Sequence, residues 1–333
     1  MMAAGHSLLR TSDERSDLVK KVGTTLEGEE VFTNAKAGDA CITICVPTWK
    51  DSADALLCNL ARLPGADRCT LLLFDDGSND IDLTRQLVRH ILRFPGPARL
   101  LSAARNHGRS HARNRLKELA ESEWILFLDA DMQPDDEAFL SRYLSAIEAS
   151  EGPCLIAGGF SLAHAFPTKE TLLHAAQSAV SECLPAEVRS VEPGRFVFTS
   201  NIQCHRDVLN KIDFDPGFHG WGWEDVDWGL RVAAVFPVEH IDNPATHLGL
   251  DPDSKLIAKY ATSGSNFSRL ADRHPDAIET TPLYRMARLS RHLPMRPRFE
   301  GVFKRLAQLK FLPLRLRLVA LKLFRATVYG AHL

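Results

Sequence analysis

Three short apolar runs in the first half of the chain each stop at a polar corner. The run from Cys41 to Val46 is closed by Pro47 and Thr48, that from Thr70 to Phe74 meets Asp75-Asp76-Gly77-Ser78, and that from Trp124 to Leu128 ends at Asp129-Ala130-Asp131. Unbroken runs of this length, rich in β-branched and aromatic residues, predict strands buried on both faces. Between them the apolar period lengthens. Ala53, Leu56, Leu57 and Leu60 predict a helix within 51–62, stopped by Pro64-Gly65, and similar spacing predicts helices over 81–92 and 109–120, with a short strand at 98–101. Alternation of this kind predicts βαβ units and a mostly parallel sheet flanked by helices. Ligands of such sheets bind beyond the carboxyl ends of the strands, so Thr48, Asp75, Asp76 and Asp129 are expected to line one crevice.

Further along, the run from Leu155 to Ala157 is followed by Gly158-Gly159, and residues 160–198 show no clear period; acceptor-facing helices and loops are expected there. From Trp221 to Trp228 the chain carries three tryptophans and three acids, Glu224, Asp225 and Asp227. Acids in a first turn suit the positive end of the helix dipole, so a helix is predicted to start near Trp223 or Glu224. The cluster reads either as an aromatic clasp with an acidic cap or as a sugar site, where tryptophan faces cover the apolar side of a ring and a carboxylate takes a hydroxyl proton.

Charge changes the picture at the far end. The chain of 333 residues has a formal net charge of −2, yet residues 283–333 hold 12 Lys or Arg against one acid, Glu300. Within 314–325 a helical plot brings Arg315, Lys322 and Arg325 near one face, with Arg317 off it. An interfacial helix on an anionic membrane surface is expected, the alternative being a helix packed on the rest of the protein with its charges in water. Aromatic residues at a readable spacing for base stacking are missing, so no nucleic-acid partner is expected. Seven scattered cysteines without a Cys-x-x-Cys pair predict reduced core residues in a cytoplasmic protein, and neither an apolar signal segment in residues 1–39 nor a run of spanning length is present.

The candidate chemistry follows from Asp129 and Asp131. Two residues apart on an extended chain, they face the same side, and their repulsion is relieved by a hard divalent cation such as Mn²⁺ or Mg²⁺, which keeps positions open for phosphate oxygens. A solvated acidic turn would use the same residues, as would Asp75 to Ser78. The glycine fingerprints of dinucleotide and P-loop sites are missing; a nucleotide would be held by carboxylates on its base and by Arg105 or Arg113 on its phosphates.

The order of Val46-Pro47-Thr48-Trp49, Asp75-Asp76-Gly77-Ser78, Gly108-Arg109-Ser110-His111-Ala112-Arg113-Asn114 and Asp129-Ala130-Asp131 resembles family 2 glycosyltransferases with the GT-A fold, over residues 41–250. Trp221-Gly222-Trp223-Glu224-Asp225 resembles the Gly-Trp-Gly-small-Glu-Asp segment shared with β-galactosyltransferase-like enzymes, with Trp223 in place of the small residue. The resemblance implies a GT-A catalytic domain over 40–250 (nucleotide-binding half 40–135, acceptor half 136–250), and composition sets a polar N-terminal extension over 1–39 and a basic, helical C-terminal region over 251–333 beside it. The resemblance also implies that Pro47, Thr48, Asp75, Asp76, Arg113 and Asp129 hold a UDP-sugar and that Asp131 and His247 hold the metal. Asp225 would then be the catalytic base, Glu224 would orient sugar hydroxyls, and Trp221 and Trp223 would meet the acceptor, a glycan or lipid-linked molecule. The expected enzyme is an inverting hexosyltransferase of polysaccharide or glycoconjugate synthesis, peripheral on the inner face of the cell membrane. A sugar-nucleotide nucleotidyltransferase and a non-catalytic nucleotide-sugar-binding module are the other readings.

Overall fold

A computed structural model describes residues 21–333; residues 1–20, and with them half of the expected N-terminal extension, lie outside the described residues. Numbered along the chain, the strands are β1 (Lys21–Thr24), β2 (Glu30–Thr33), β3 (Ile42–Thr48), β4 (Cys69–Asp75), β5 (Ala98–Ser102) and β6 (Trp124–Leu128). Then follow β7 (Met132–Pro134), β8 (Leu155–Ala157), β9 (Phe160–Ser161), β10 (Asn201–His205), β11 (Val238–His240) and β12 (Ala245–His247).

Among the described residues nine strands form one sheet in the order β1-β2-β5-β4-β3-β6-β10-β8-β11, and β7-β12-β9 form a second, smaller sheet. At the centre, β5, β4, β3 and β6 run parallel, in the alternation that the apolar runs predict. β10 enters antiparallel between β6 and β8. The sheet begins before residue 40, because β2 pairs antiparallel with β5 and β1 with β2.

Side chains alternate across the strands. Ile44, Leu71, Leu73 and Leu126 join a core beneath the helices Asp54–Leu60, Ile81–Arg93 and Phe139–Ala149. Cys45, Leu72, Phe74 and Phe127 enter a second core with Leu116, Phe214, Trp228 and Val232, beneath the helices Arg109–Leu119 and Glu224–Ala233. Each such buried side chain contributes about 1.5–3 kcal/mol of transfer free energy, so the central strands are held by both faces.

The C-terminal region is not set apart. Helices Asp253–Thr262, Gly264–Arg273, Pro282–Arg291, Arg296–Gln308 and Leu314–Tyr329 share a third core, in which Leu256, Phe267, Leu321, Phe324 and Tyr329 meet Leu173 and Phe218. This changes the expected charge face of the last helix. Arg317 is 3% exposed, donates from Nε to the Ala307 carbonyl at 2.9 Å and pairs with Asp253. Arg325 lies with its guanidinium 4.2 Å from the centre of the Tyr260 ring. Both arginines turn inward because their long stems cross the apolar core to reach partners there; Arg315 and Lys322 remain exposed. No helix among the described residues is long and apolar enough to cross a membrane.

Candidate active site

Register builds one wall of the crevice. Thr48 and Asp75, the last residues of β3 and β4, are directly paired, and the Thr48 carbonyl accepts the Asp76 N–H at 2.9 Å. The Thr48 hydroxyl donates to the Asp51 carbonyl at 2.6 Å, and half-buried Pro47 precedes it. Asp75 accepts from the Ser78 hydroxyl at 2.5 Å, the Ser78 N–H at 3.2 Å and the Ser102 hydroxyl at 3.1 Å. Asp76 accepts from the N–H groups of His107 (3.0 Å) and Gly108 (2.8 Å). Asp75 therefore ties the corner to the end of β5 and Asp76 ties it to the loop that starts the helix Arg109–Leu119, and each keeps little acceptor capacity for a base. Gly77 permits this approach: its φ is +76°, and a Cβ there would lie 2.2 Å from the Arg105 carbonyl carbon.

Arg113 does not reach outward. It is 2% exposed, with Nη2 2.8 Å from Asp129, Nη1 3.7 Å from Asp225 and its guanidinium 5.9 Å from the centre of the Phe214 ring. Its Nε and Nη1 make no hydrogen bond. The expected phosphate ligand is instead a buried cation that joins the acid after β6 to the acid of the helix Glu224–Ala233.

Asp131 and His247 meet at the other end of the crevice, with 3.2 Å between Oδ2 and Nε2. Burial opposes ionisation of Asp131, but the hydrogen bond and charge of His247 outweigh it and hold the carboxyl below the ordinary aspartate range, with Arg109 helping. Burial likewise opposes protonation of His247, and Asp131 outweighs it, so the imidazole titrates above its usual value. Gly249 leaves room for the pair, because a Cβ there would fall 2.0 Å from Asp131 Oδ2. A carboxylate oxygen and an imidazole nitrogen converging in this way fit Mn²⁺ or Mg²⁺ as a donor set. Among the described residues no group of three or more His, Cys, Asp or Glu forms a complete cage, so a cation held by this pair would draw its other ligands from substrate or water.

The facing wall is the start of the helix Glu224–Ala233. Glu224 is 8% exposed and meets Arg109 Nη1 at 3.2 Å. Asp225 accepts from the Thr199 hydroxyl at 2.6 Å and from the Thr199 N–H at 3.3 Å. Burial pushes its carboxyl up to about 6; Arg113 and the Thr199 hydroxyl pull it down, and the charges of Glu224 and Asp129 push it up. Trp223 caps the helix in the left-handed region at φ +78°, a conformation that costs a non-glycine residue about 1–2 kcal/mol. Its ring packs 5.0 Å from that of Phe267 and 6.0 Å from that of Tyr329, which is the clasp reading of the tryptophan cluster. Trp221 stands edge-on to Tyr260 at 5.2 Å, with Lys259 Nζ 5.5 Å from its ring centre.

Three residues at the site were not singled out from the sequence. Arg109 stands inside the Gly108–Asn114 motif, where its place at the first helical position was a usable signal. His174 falls in the stretch without a period and Thr199 directly follows it; His174 stands 5.7 Å, ring to ring, from His247. His240 is remote in role, its nitrogens engaged by Arg189 at 2.6 Å and the Pro193 carbonyl at 2.9 Å.

A mixed sheet with a parallel centre, flanked by helices on both faces, is an α/β fold of the GT-A class. Residues 43–159, from β3 to the turn after β8, match the family model described as glycosyl transferase family 2. The segment from Trp221 to Asp225 lies beyond the matched residues. No curated protein matches the chain. Among solved structures it is similar to the mannosyltransferase PcManGT from Pyrobaculum calidifontis, in complex with GDP-Man and Mn²⁺, at 15% identity and a TM-score of 0.52, covering 89% of this chain and 90% of that one. It is also similar to glucosyl-3-phosphoglycerate synthase from Mycobacterium tuberculosis, in complex with Mn²⁺, UDP and glucosyl-3-phosphoglycerate, at 17% identity, 72% and 81% coverage and a TM-score of 0.48. A third is S. aureus TarS 1-349, at 15% identity, 87% and 90% coverage and a TM-score of 0.43. The likeness to PcManGT is one of fold.

Proposed function

We propose that this protein is a metal-dependent, inverting glycosyltransferase that moves a hexose from a UDP-sugar to a hydroxyl of a glycan or lipid-linked acceptor. The observation that carries the reading is the placing of two acid sets across one crevice, Asp129 and Asp131 on one wall and Glu224 and Asp225 on the other, with Arg113 between Asp129 and Asp225. Residues 48, 75 and 76 shape the base end of the donor site, and their carboxylates offer the nucleotide only the lone pairs left by their own partners. Asp131 and His247 would hold Mn²⁺ or Mg²⁺, which neutralises charge gathering on the departing diphosphate.

Asp225 has the properties of a base. Its carboxyl, pushed up to about 6 by burial, is ionised at neutral pH yet basic enough to accept a hydroxyl proton as the oxygen attacks. The Thr199 hydroxyl fixes its orientation at 2.6 Å, and a quarter of the side chain stays open to an acceptor (24%). Attack from this wall, opposite the diphosphate, is a single in-line displacement and inverts the anomeric centre. Glu224 would orient hydroxyls, and half-buried Trp221 would cover a sugar face; Trp223 supports the loop from behind.

The test is Mn²⁺-dependent release of nucleoside diphosphate from a panel of UDP- and GDP-sugars, with and without glycan acceptors, by the wild type and Asp131→Asn. The expected result is turnover of one donor that the substitution abolishes. Pyrophosphate release in its place would point to a nucleotidyltransferase, and binding without turnover under every acceptor would leave a binding module.

We also propose that the protein works on the anionic inner face of a membrane. The helix Arg296–Gln308 exposes Phe299 (40%) and Val302 (48%) beside Arg298 and Arg305, and the last helix exposes Leu316 (55%) and Val319 (53%) beside Arg315 and Lys322. Apolar groups flanked by arginine and lysine suit a lipid interface. Flotation with phosphatidylserine vesicles, lost in Val302→Glu with Val319→Glu and missing with neutral vesicles, is expected; an equal response to both vesicle types would reject the proposal.

A further inference from the structure

Two arginines one turn apart on the helix Arg109–Leu119 both act on Glu224 and have different fates. Arg113 is 2% exposed and committed to Asp129, with Asp225 behind it. Arg109 has 48% of its side chain exposed, and its ion pair is a single contact, 3.2 Å to Glu224. Arg109 therefore stands, half exposed, across from the acid that opens the facing helix.

We infer that Arg109 is a donor-binding residue that exchanges Glu224 for the diphosphate of the nucleotide sugar, so that donor binding frees Glu224 to take the acceptor. The inference rests on the glycosyltransferase reading. An anionic diphosphate entering among Asp129, Asp131, Glu224 and Asp225 meets repulsion that Arg113, 2% exposed and enclosed beside Asp129, cannot turn outward to relieve. Arg109 can, because it is exposed and spends one nitrogen on a contact longer than the 2.7–2.9 Å usual for charge-assisted hydrogen bonds. Phosphate oxygens offer its planar fork two parallel bonds. Glu224 is not left bare by the exchange, since the charge of Arg113 also acts on it. A carboxylate released in this way can accept from a sugar hydroxyl, and the enzyme binds donor before acceptor.

Titration calorimetry of UDP and GDP in the presence of Mn²⁺ separates the outcomes. Arg109→Ala is expected to weaken the nucleotide by about tenfold to a hundredfold, the loss of one or two charged hydrogen bonds, with Arg109→Lys between it and the wild type. Glu224→Gln removes the competitor and is expected to tighten the same nucleotide. Thermal melting checks that each variant is folded. Unchanged affinity in Arg109→Ala, or equal weakening in Arg109→Ala and Glu224→Gln, overturns the inference while leaving the glycosyltransferase reading in place. Failure of the wild type to bind either nucleotide overturns the reading itself, and the inference with it.

Discussion

The two walls of the crevice are built by different means. On the donor wall, neighbouring strands carry the groups: Thr48 stands opposite Asp75 through parallel register, and the carboxylates are locked by partners within the same few loops. On the acceptor wall, the loop before the helix Glu224–Ala233 passes through left-handed conformations at Gly220, Gly222 and Trp223, and nothing local holds it there. It is held from the C-terminal side. Asn266 donates to the carbonyls of His219 and Gly222, each at 3.0 Å, and Trp223 leans on Phe267 and Tyr329. Asp227, one turn into the helix, pairs with Arg273 at 2.8 Å and His274 at 3.0 Å. The nucleotide half is thus a product of its own sheet, whereas the helix Glu224–Ala233 sits on that sheet through Trp228 and Val232 and has the loop before it fixed by helices that follow in sequence. Strain at Trp223 persists because its surroundings over-determine it.

If the walls act separately, Asp225→Asn should lower transfer by about a hundredfold to ten-thousandfold, the range for a lost general base, while nucleotide affinity stays within a factor of two. A parallel fall in nucleotide affinity would show that the walls do not divide the work. Next in size is Arg317→Ala, which strands Asp253 in the third core; loss of one member of a buried pair costs about 3–5 kcal/mol. Denaturant unfolding monitored at tryptophan should show the loss. If the variant unfolds like the wild type, the C-terminal helices are not part of the unit that positions the acceptor wall.

The smallest expected effect is on pH. Below about 6 Asp225 carries a proton and cannot accept another, so the transfer rate should rise with pH through a midpoint near 6. Thr199→Ala removes a hydrogen bond that favours the ionised carboxyl, so its midpoint should move up. Glu224→Gln removes a neighbouring negative charge, so its midpoint should move down. Rate profiles of the three proteins at saturating donor check the signs; shifts in the same direction would show that the midpoint belongs to another group.

How far this could be read from residues alone varies along the chain. Strands β3, β4 and β6 were legible because a parallel strand buried on both faces is an unbroken apolar run, and its polar stop marks its carboxyl end. The start of the helix Glu224–Ala233 was legible from three acids in its first turn. The roles around them were less so. Asp75 and Asp76 look like free acids beside Gly77 until Ser78, Ser102 and the His107 N–H are brought to them, and Arg113 looks like a surface arginine until Phe214 and Asp129 enclose it.

What the sequence alone determined is therefore local: where strands end, where helices begin, which acids stand at the sheet edge, and that residues 283–333 are strongly basic. The tertiary structure decided which charges meet. His247 reaches Asp131 from 116 residues away, Arg317 turns inward because Asp253 waits 64 residues earlier, and the Asp225 carboxyl is pushed up because burial outweighs the pull of Arg113. Periodicity is a property of adjacent residues and survives in the linear chain. A pKa, an ion pair or a strained turn depends on the dielectric and the neighbours that only long-range packing supplies.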